Sequence, residues 1–166
     1  MATIYSNQYQ DAYVDVPSNK IRAGDFNGQV QFAFFDLSVP AVAPSNADVV
    51  KLCKLPKGAR VLDAVLVLPD LGDTTVLDLG WAASEELDSD GVAVEAADDD
   101  GLLAAIDGDV AADAFSMQAL AEAGTIAAGL LKKFSAEVDI QITIDDAWTS
   151  TTTTDTIKGY IKFVLG

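Results

Sequence analysis

"KLCKLPKGARVLDAVLVLPDLG", residues 51 to 72, joins two strand-like apolar segments through a basic, glycine-containing elbow. Before the elbow, "DVVKLCKL" reads as one strand. After it, "RVLDAVLVL" is apolar on both faces except at Asp63. A strand apolar on both sides belongs in the middle of a sandwich or against another subunit, because only there do both of its faces leave water. The stretch therefore points to a mainly β protein.

The segments around it carry the same period. In "QVQFAFFDLSV", residues 29 to 39, Val30, Phe32 and Phe34 share one face, and Phe35, Leu37 and Val39 continue in the opposite phase, which predicts a bulge or bend at the adjacent phenylalanines. "TTVLDLGWAA" is a further strand, with Leu77, Leu79 and Trp81 alternating against Val76, Asp78 and Gly80, and Trp81 is expected in the core. In "EVDIQITID", Val138, Ile140, Ile142 and Ile144 alternate with polar residues, the pattern of a strand with one face buried and one in water. "TIKGYIKFVLG" sets Ile157, Ile161, Phe163 and Leu165 against Lys158, Tyr160 and Lys162. These last two strands, joined by the Thr-rich "DAWTSTTTTD", are expected to pair as a long-looped antiparallel hairpin. Between residues 83 and 131 the pattern weakens. The Ala-rich "AADAFSMQALAEAG", with Ala114, Met117, Leu120 and Ala121 on a helical stripe, predicts a short helix inside a connection.

Residues 1 to 28 are polar, contain Pro17 and show no sustained alternation, which reads as an N-terminal arm ahead of a single folded domain, 29 to 166. The arm holds Tyr5, Tyr9 and Tyr13, three of the four tyrosines in the chain. Tyrosine offers a large contact area with a polar handle, and the fourfold spacing lets all three share one side of a short helix on a partner. Packing back onto the chain's own sheet is the competing reading. No signal-peptide pattern and no apolar run of ~18 residues is present, so synthesis as a soluble protein in a reducing cytoplasm is expected. The single cysteine, Cys53, lies within an apolar pattern and reads as a near-core thiol.

Charge is segregated along the chain. Net charge is -16, and between Val61 and Leu131 there are sixteen acidic residues and no Lys or Arg. The remaining ten acids balance the ten basic residues. A surface built from the acidic block repels polyanions, which disfavours nucleic-acid binding.

Catalytic patterns are scarce. The chain has no histidine and no glycine-rich phosphate loop, and acidic pairs such as Glu85 and Glu86 arise by chance in so dense a block, so no enzymatic role and no cofactor is expected. The loops "DSDG", "DDDG" and "DGD" invite a calcium reading, but counted from Asp88 the EF-hand template fails at Ala93 and at Asp99, and solvated turns are the expectation. Trp148, beside the Thr-rich loop, is either an exposed ring able to stack on a sugar or a core residue at the edge of the sandwich.

"VVKLCKLPKGARVLDAVLVLPDLGDTTVLDLG", with its elbow from Leu55 to Ala64, resembles a recurring segment of small head decoration, or cement, proteins of tailed bacteriophages, as do the preceding "QVQFAFFDLSVP", the polar arm and "EAGTIAAGLL" followed by two closing strands. The long acidic stretch between Glu85 and Asp113 departs from that pattern. The resemblance implies a jelly-roll β-sandwich that binds the outer surface of the capsid, often as a homotrimer, and braces it by bridging capsomers. It implies the major capsid protein and neighbouring copies as partners, with no direct nucleic-acid or membrane contact. The acidic block would face solvent, and the neutral remainder, with Lys20, Arg22, Lys51, Lys54, Lys57 and Arg60, would face the shell. The candidate capsid-binding residues are Tyr5, Tyr9, Tyr13, Lys20, Arg22, Lys57 and Arg60. Two rivals remain: a tail or receptor-binding jelly roll recognising host glycans, which Trp148 would serve, and a major capsid subunit, which usually needs a longer chain.

Overall fold

A computed structural model of the chain describes residues 29–39, 41, 43–72, 74–109, 113–122, 127–146, 148–149, 152 and 154–166. Among the described residues, eight strands follow one another: β1 (Val30–Ser38), β2 (Val49–Leu55), β3 (Ala59–Leu68), β4 (Val76–Trp81), β5 (Asp98–Asp107), β6 (Asp113–Ser116), β7 (Val138–Ile144) and β8 (Thr156–Leu165). One short helix, α1 (Met117–Glu122), follows β6, as the Ala-rich stripe predicts, although its first residues extend a strand instead.

The strands form two four-stranded antiparallel sheets, ordered β1-β8-β3-β6 and β2-β7-β4-β5. Strands pair from the outside of the sequence inward: first with eighth, second with seventh, third with sixth, fourth with fifth. This nested pairing is a long hairpin rolled into two layers, a jelly roll. The layers meet through Val61, Leu66 and Ile161 on one side and Leu55, Leu79, Ile140, Ile142 and Leu103 on the other, all fully buried.

β3 takes the interior place its two-sided apolar pattern demands, between β8 and β6. The elbow before it turns at Gly58, whose φ of 87° lies in the left-handed region where a Cβ is costly. Its N–H donates to the Phe134 carbonyl at 2.8 Å, and its carbonyl accepts from the Gly166 N–H at 3.1 Å, so the elbow ties β3 to two distant segments.

Several expectations are corrected. β1 has no bulge: its register with β8 runs unbroken from Val30↔Val164 to Ser38↔Thr156. The two apolar phases are the two faces of one straight strand, because residues 30, 32, 34 and 35, 37, 39 simply have opposite parity. The irregularities fall elsewhere, between Lys51 and Cys53, between Val61 and Asp63, and in the β4–β5 pair. β7 and β8 are not a hairpin; β7 lies between β2 and β4, β8 between β1 and β3, and their connection crosses from one layer to the other. Nor is the second face of β7 in water. Gln141 and Thr143 are only 8% and 9% exposed, because flanking strands shade an interior strand on both sides. Finally, "DDDG" and the start of "DGD" belong to β5 rather than to turns, whereas "DSDG" is a turn, with the Asp88 carboxylate accepting from the N–H groups of Asp90 and Val92.

Candidate partner-binding surface

The outward face of the first sheet can be read from its register. One row runs Val30, Val164, Arg60; the next Phe32, Lys162, Asp63; then Phe34, Tyr160, Val65, Ser116; then Asp36, Lys158, Val67, Ala114. β1 supplies the most exposed apolar groups. Phe34 is 73% exposed, Val30 47% and Phe32 46%. The Phe32 and Phe34 rings stack at 5.7 Å, and Tyr160 meets them edge-on at 5.5 and 6.0 Å. The three rings shield one another but leave their outer faces in water, and contiguous exposed apolar surface of this kind marks an interaction site.

β1 is held in place from beneath. Phe35 points into the core directly opposite Gly159 on β8, where any Cβ would collide with the Phe35 ring and the Val65 carbonyl. Phe35 thus fixes which side of β1 faces inward, and Phe34 follows outward. The sequence pattern contained this pair of faces, and the bulge reading concealed it.

Of the residues singled out from the sequence, Tyr5, Tyr9, Tyr13, Lys20 and Arg22, and with them the arm at 1 to 28, lie outside the described residues. Lys57 sits in the elbow, 62% exposed, and pairs with Glu86 at 2.9 Å. Arg60 is half-buried in the outward row with Val164, and its backbone bridges to Lys133. A shallow basin of about 400 Å³ opens beside the elbow, lined by Lys57, Gly58, Lys133, Phe134, Ser135 and Gly166. The two cationic candidates and Lys133 therefore converge at one end of the sandwich, adjoining the aromatic face through Arg60.

The acidic block divides. Some of its members fold back on the few cations. Glu95, 5% exposed, receives Lys132 at 2.9 Å and the Ser135 N–H. Burial pushes the Glu95 carboxyl up, but Lys132 and Ser135 outweigh it and hold the group below its ordinary value. Outside the block, on β2, Lys51 pairs with Asp139 at 2.5 Å and Lys54 with Glu137 at 3.1 Å. The Lys51 hydrogen bond leads in holding Asp139 low. The remainder stays outward: Asp88, Asp90, Asp99 and Asp100 are exposed. The Asp98, Asp99 and Asp100 carboxylates lie within 4.8 Å of one another, and burial, then Asp100 and Asp99, push Asp98 up.

Two further groups are internal. Asp78, on β4 and 8% exposed, accepts from the Ala105 N–H at 2.6 Å and anchors β5 where Ala105 adopts a φ of 50°. Burial first, with Asp145 adding to it and the Ala105 N–H opposing, raises Asp78 to about 6. Cys53 is half-buried, and burial, then Asp139, push its thiol up to about 11, so it stays a protonated, unreactive packing residue at neutral pH. Trp148 is 2% exposed, so its ring is packed in the sandwich and is not offered to a ligand; Trp81, also 2% exposed, is core as expected.

No protein-family profile matches the sequence, and no curated protein matches it. Three solved structures match the chain. A chain of the capsid of Ralstonia phage GP4 superposes with a TM-score of 0.62 at 21% identity, over 84% of this chain and 86% of that one. A chain of the cyanophage Pam1 capsid asymmetric unit gives 0.49 at 19% identity, over 85% and 88%. A chain of the acid-stable capsid of Helicobacter pylori bacteriophage KHP30 gives 0.44 at 14%, over 82% and 87%. Over 84% of its length, this chain shares the fold of a chain of the GP4 capsid.

Proposed function

We propose that the protein is a structural component of a tailed-phage virion, a decoration protein that binds the outer surface of the capsid and stabilises it by bridging capsomers. The observation that carries this reading is a jelly roll shared with a chain of the GP4 capsid whose one exposed aromatic face lies on the opposite edge of the sandwich from the acidic strand β5. An apolar, nearly charge-balanced face suits docking, while exposed carboxylates suit the side turned to water and deter unspecific association. The partners are the major capsid protein and neighbouring copies. Tyr5, Tyr9, Tyr13, Lys20 and Arg22 are the arm's anchors, and Lys57 and Arg60 contact the shell from the elbow. Each contact is weak, and repetition over a lattice makes the sum large.

The glycan-binding alternative loses its supporting feature, since Trp148 is buried. The test is a reconstitution: purified protein is mixed with expanded capsids, and bound copies are counted by mass spectrometry and located in a low-resolution particle map. Hundreds of copies on the outer surface support decoration. A few dozen or fewer at the tail, or none bound, overturn it.

A further inference from the structure

β1 is an edge strand with the features that natural edges usually avoid. It is nine residues long, has no bulge, and contains neither Pro nor Lys. Among the described residues, β8 is its sole strand partner. An edge of this kind presents a row of backbone N–H and C=O groups ready to pair with another chain. Beside that edge, Phe34 is 73% exposed.

We infer that two copies of this chain join through β1, paired antiparallel across a two-fold axis at Phe34, so that the two four-stranded sheets become one of eight strands. The register follows from the sequence of β1. Only an axis through Phe34 pairs all nine residues from Val30 to Ser38. It sets Phe34 against its own copy, Phe32 against Asp36 and Val30 against Ser38, and it keeps the two Asp36 carboxylates from facing each other. The Phe34 rings then cover one another, and a closed two-fold contact leaves no open surface to propagate.

Charge selects a second copy as the occupant. β1 lies beside β2 at one edge of the sandwich, and β5, with Asp98, Asp99 and Asp100, lies beside β6 at the other. Three strand spacings, about 15 Å, separate these two edges laterally. Joined through β1, the two acidic edges point away from each other, on the order of 35 Å apart, several Debye lengths at physiological salt. The outward face beside β1 sets Asp36 and Asp63 against Arg60, Lys158 and Lys162, so it is close to neutral. Two bodies of charge -16 meet with least repulsion along this edge. The inference holds whether or not the chain decorates a capsid.

The test uses the full chain. In sedimentation, wild type should reach a two-chain species as concentration rises, and Phe34→Lys should weaken that association about tenfold or more, since interface aromatics carry much of the binding energy. In a Cys53→Ser background, the double variant Val30→Cys/Ser38→Cys should oxidise to a disulfide-linked pair of chains, because residues directly opposed in an antiparallel pair stand ~4.5–5.5 Å apart, inside the disulfide range. Val30→Cys alone should not. Hydrogen exchange at the β1 amides should slow as concentration rises. A chain that stays monomeric, an association untouched by Phe34→Lys, cross-linking by Val30→Cys alone as efficient as by the pair, or β1 protection independent of concentration, as a segment of the chain's own covering the edge would give, each overturns the inference.

Discussion

Lys132 Nζ stands 2.9 Å from Glu95 Oε2 and 5.5 Å above the Trp81 ring, so a single cation closes the acidic connection between β4 and β5 onto the core. Glu95 is nearly inaccessible, whereas Lys132 reaches partly into solvent. Replacing Lys132 by Ala leaves that carboxylate with the Ser135 N–H and loses the contact over Trp81. The expected cost is about 2 kcal/mol, less than for a fully buried pair, read as a lowered urea midpoint. Lys132→Ala/Glu95→Gln should recover part of the loss. Since Glu95 is held low in the folded state, its contribution is present above its unfolded value near 4.5 and is lost as pH falls through the folded value.

Asp78 behaves in the opposite sense. Its folded pKa is raised to about 6 from an ordinary 3.8, so the folded state binds the extra proton between those values. Its contribution to stability is greatest below about 3.8 and is lost as pH rises through about 6. Asp78→Asn keeps an oxygen for the Ala105 N–H and removes the buried charge. Thermal unfolding should show the variant more stable than wild type at pH 7, with the advantage shrinking towards pH 4. An advantage unchanged with pH would refute the assignment.

Substitutions on the two faces of the β1–β8 pair should separate folding from binding. Gly159→Ala pushes a methyl into the Phe35 ring and the Val65 carbonyl and should cost about 2 kcal/mol or more through overpacking. Phe34→Lys, on the other face, should change stability by no more than about 0.5 kcal/mol. Denaturant titration measures both, and capsid co-sedimentation should show binding reduced by Phe34→Lys at unchanged fold.

At the elbow, the Lys57–Glu86 pair is exposed on both sides, so Lys57→Ala should leave stability within about 0.5 kcal/mol. If Lys57 contacts the shell as proposed, the same variant should weaken capsid binding, most visibly at low salt where screening is weak. Replacing Tyr5, Tyr9 and Tyr13 together by Ala should weaken it further, as bound copies per capsid will report.

Much of the fold was legible because period two survives wherever one strand face is apolar. β1, β2, β3, β4, β7 and β8 all stand near the segments expected. β5 escaped notice for two reasons: aspartates open it, and its alternation breaks at the irregular pairing with β4, where Ala105 takes a positive φ. The pairing of β7 with β8 failed because nearness in sequence favours hairpins, whereas a long connection is free to cross between layers. Among the candidate surface residues, the elbow pointed to Lys57 and Arg60, which the structure places at one end of the sandwich. The exposure of Phe32, Phe34 and Tyr160 was not legible, since aromatics on an alternating strand look like core until the other layer is placed.

The order of residues by itself determined where six of the strands run, where charge gathers, and that β1 has two apolar faces. Which of those faces meets water was decided only by the tertiary structure. Phe35 fits over Gly159 while β7 and β2 close the sheet from that side, and a strand buried against one layer must leave its other rings, Phe32 and Phe34, outside.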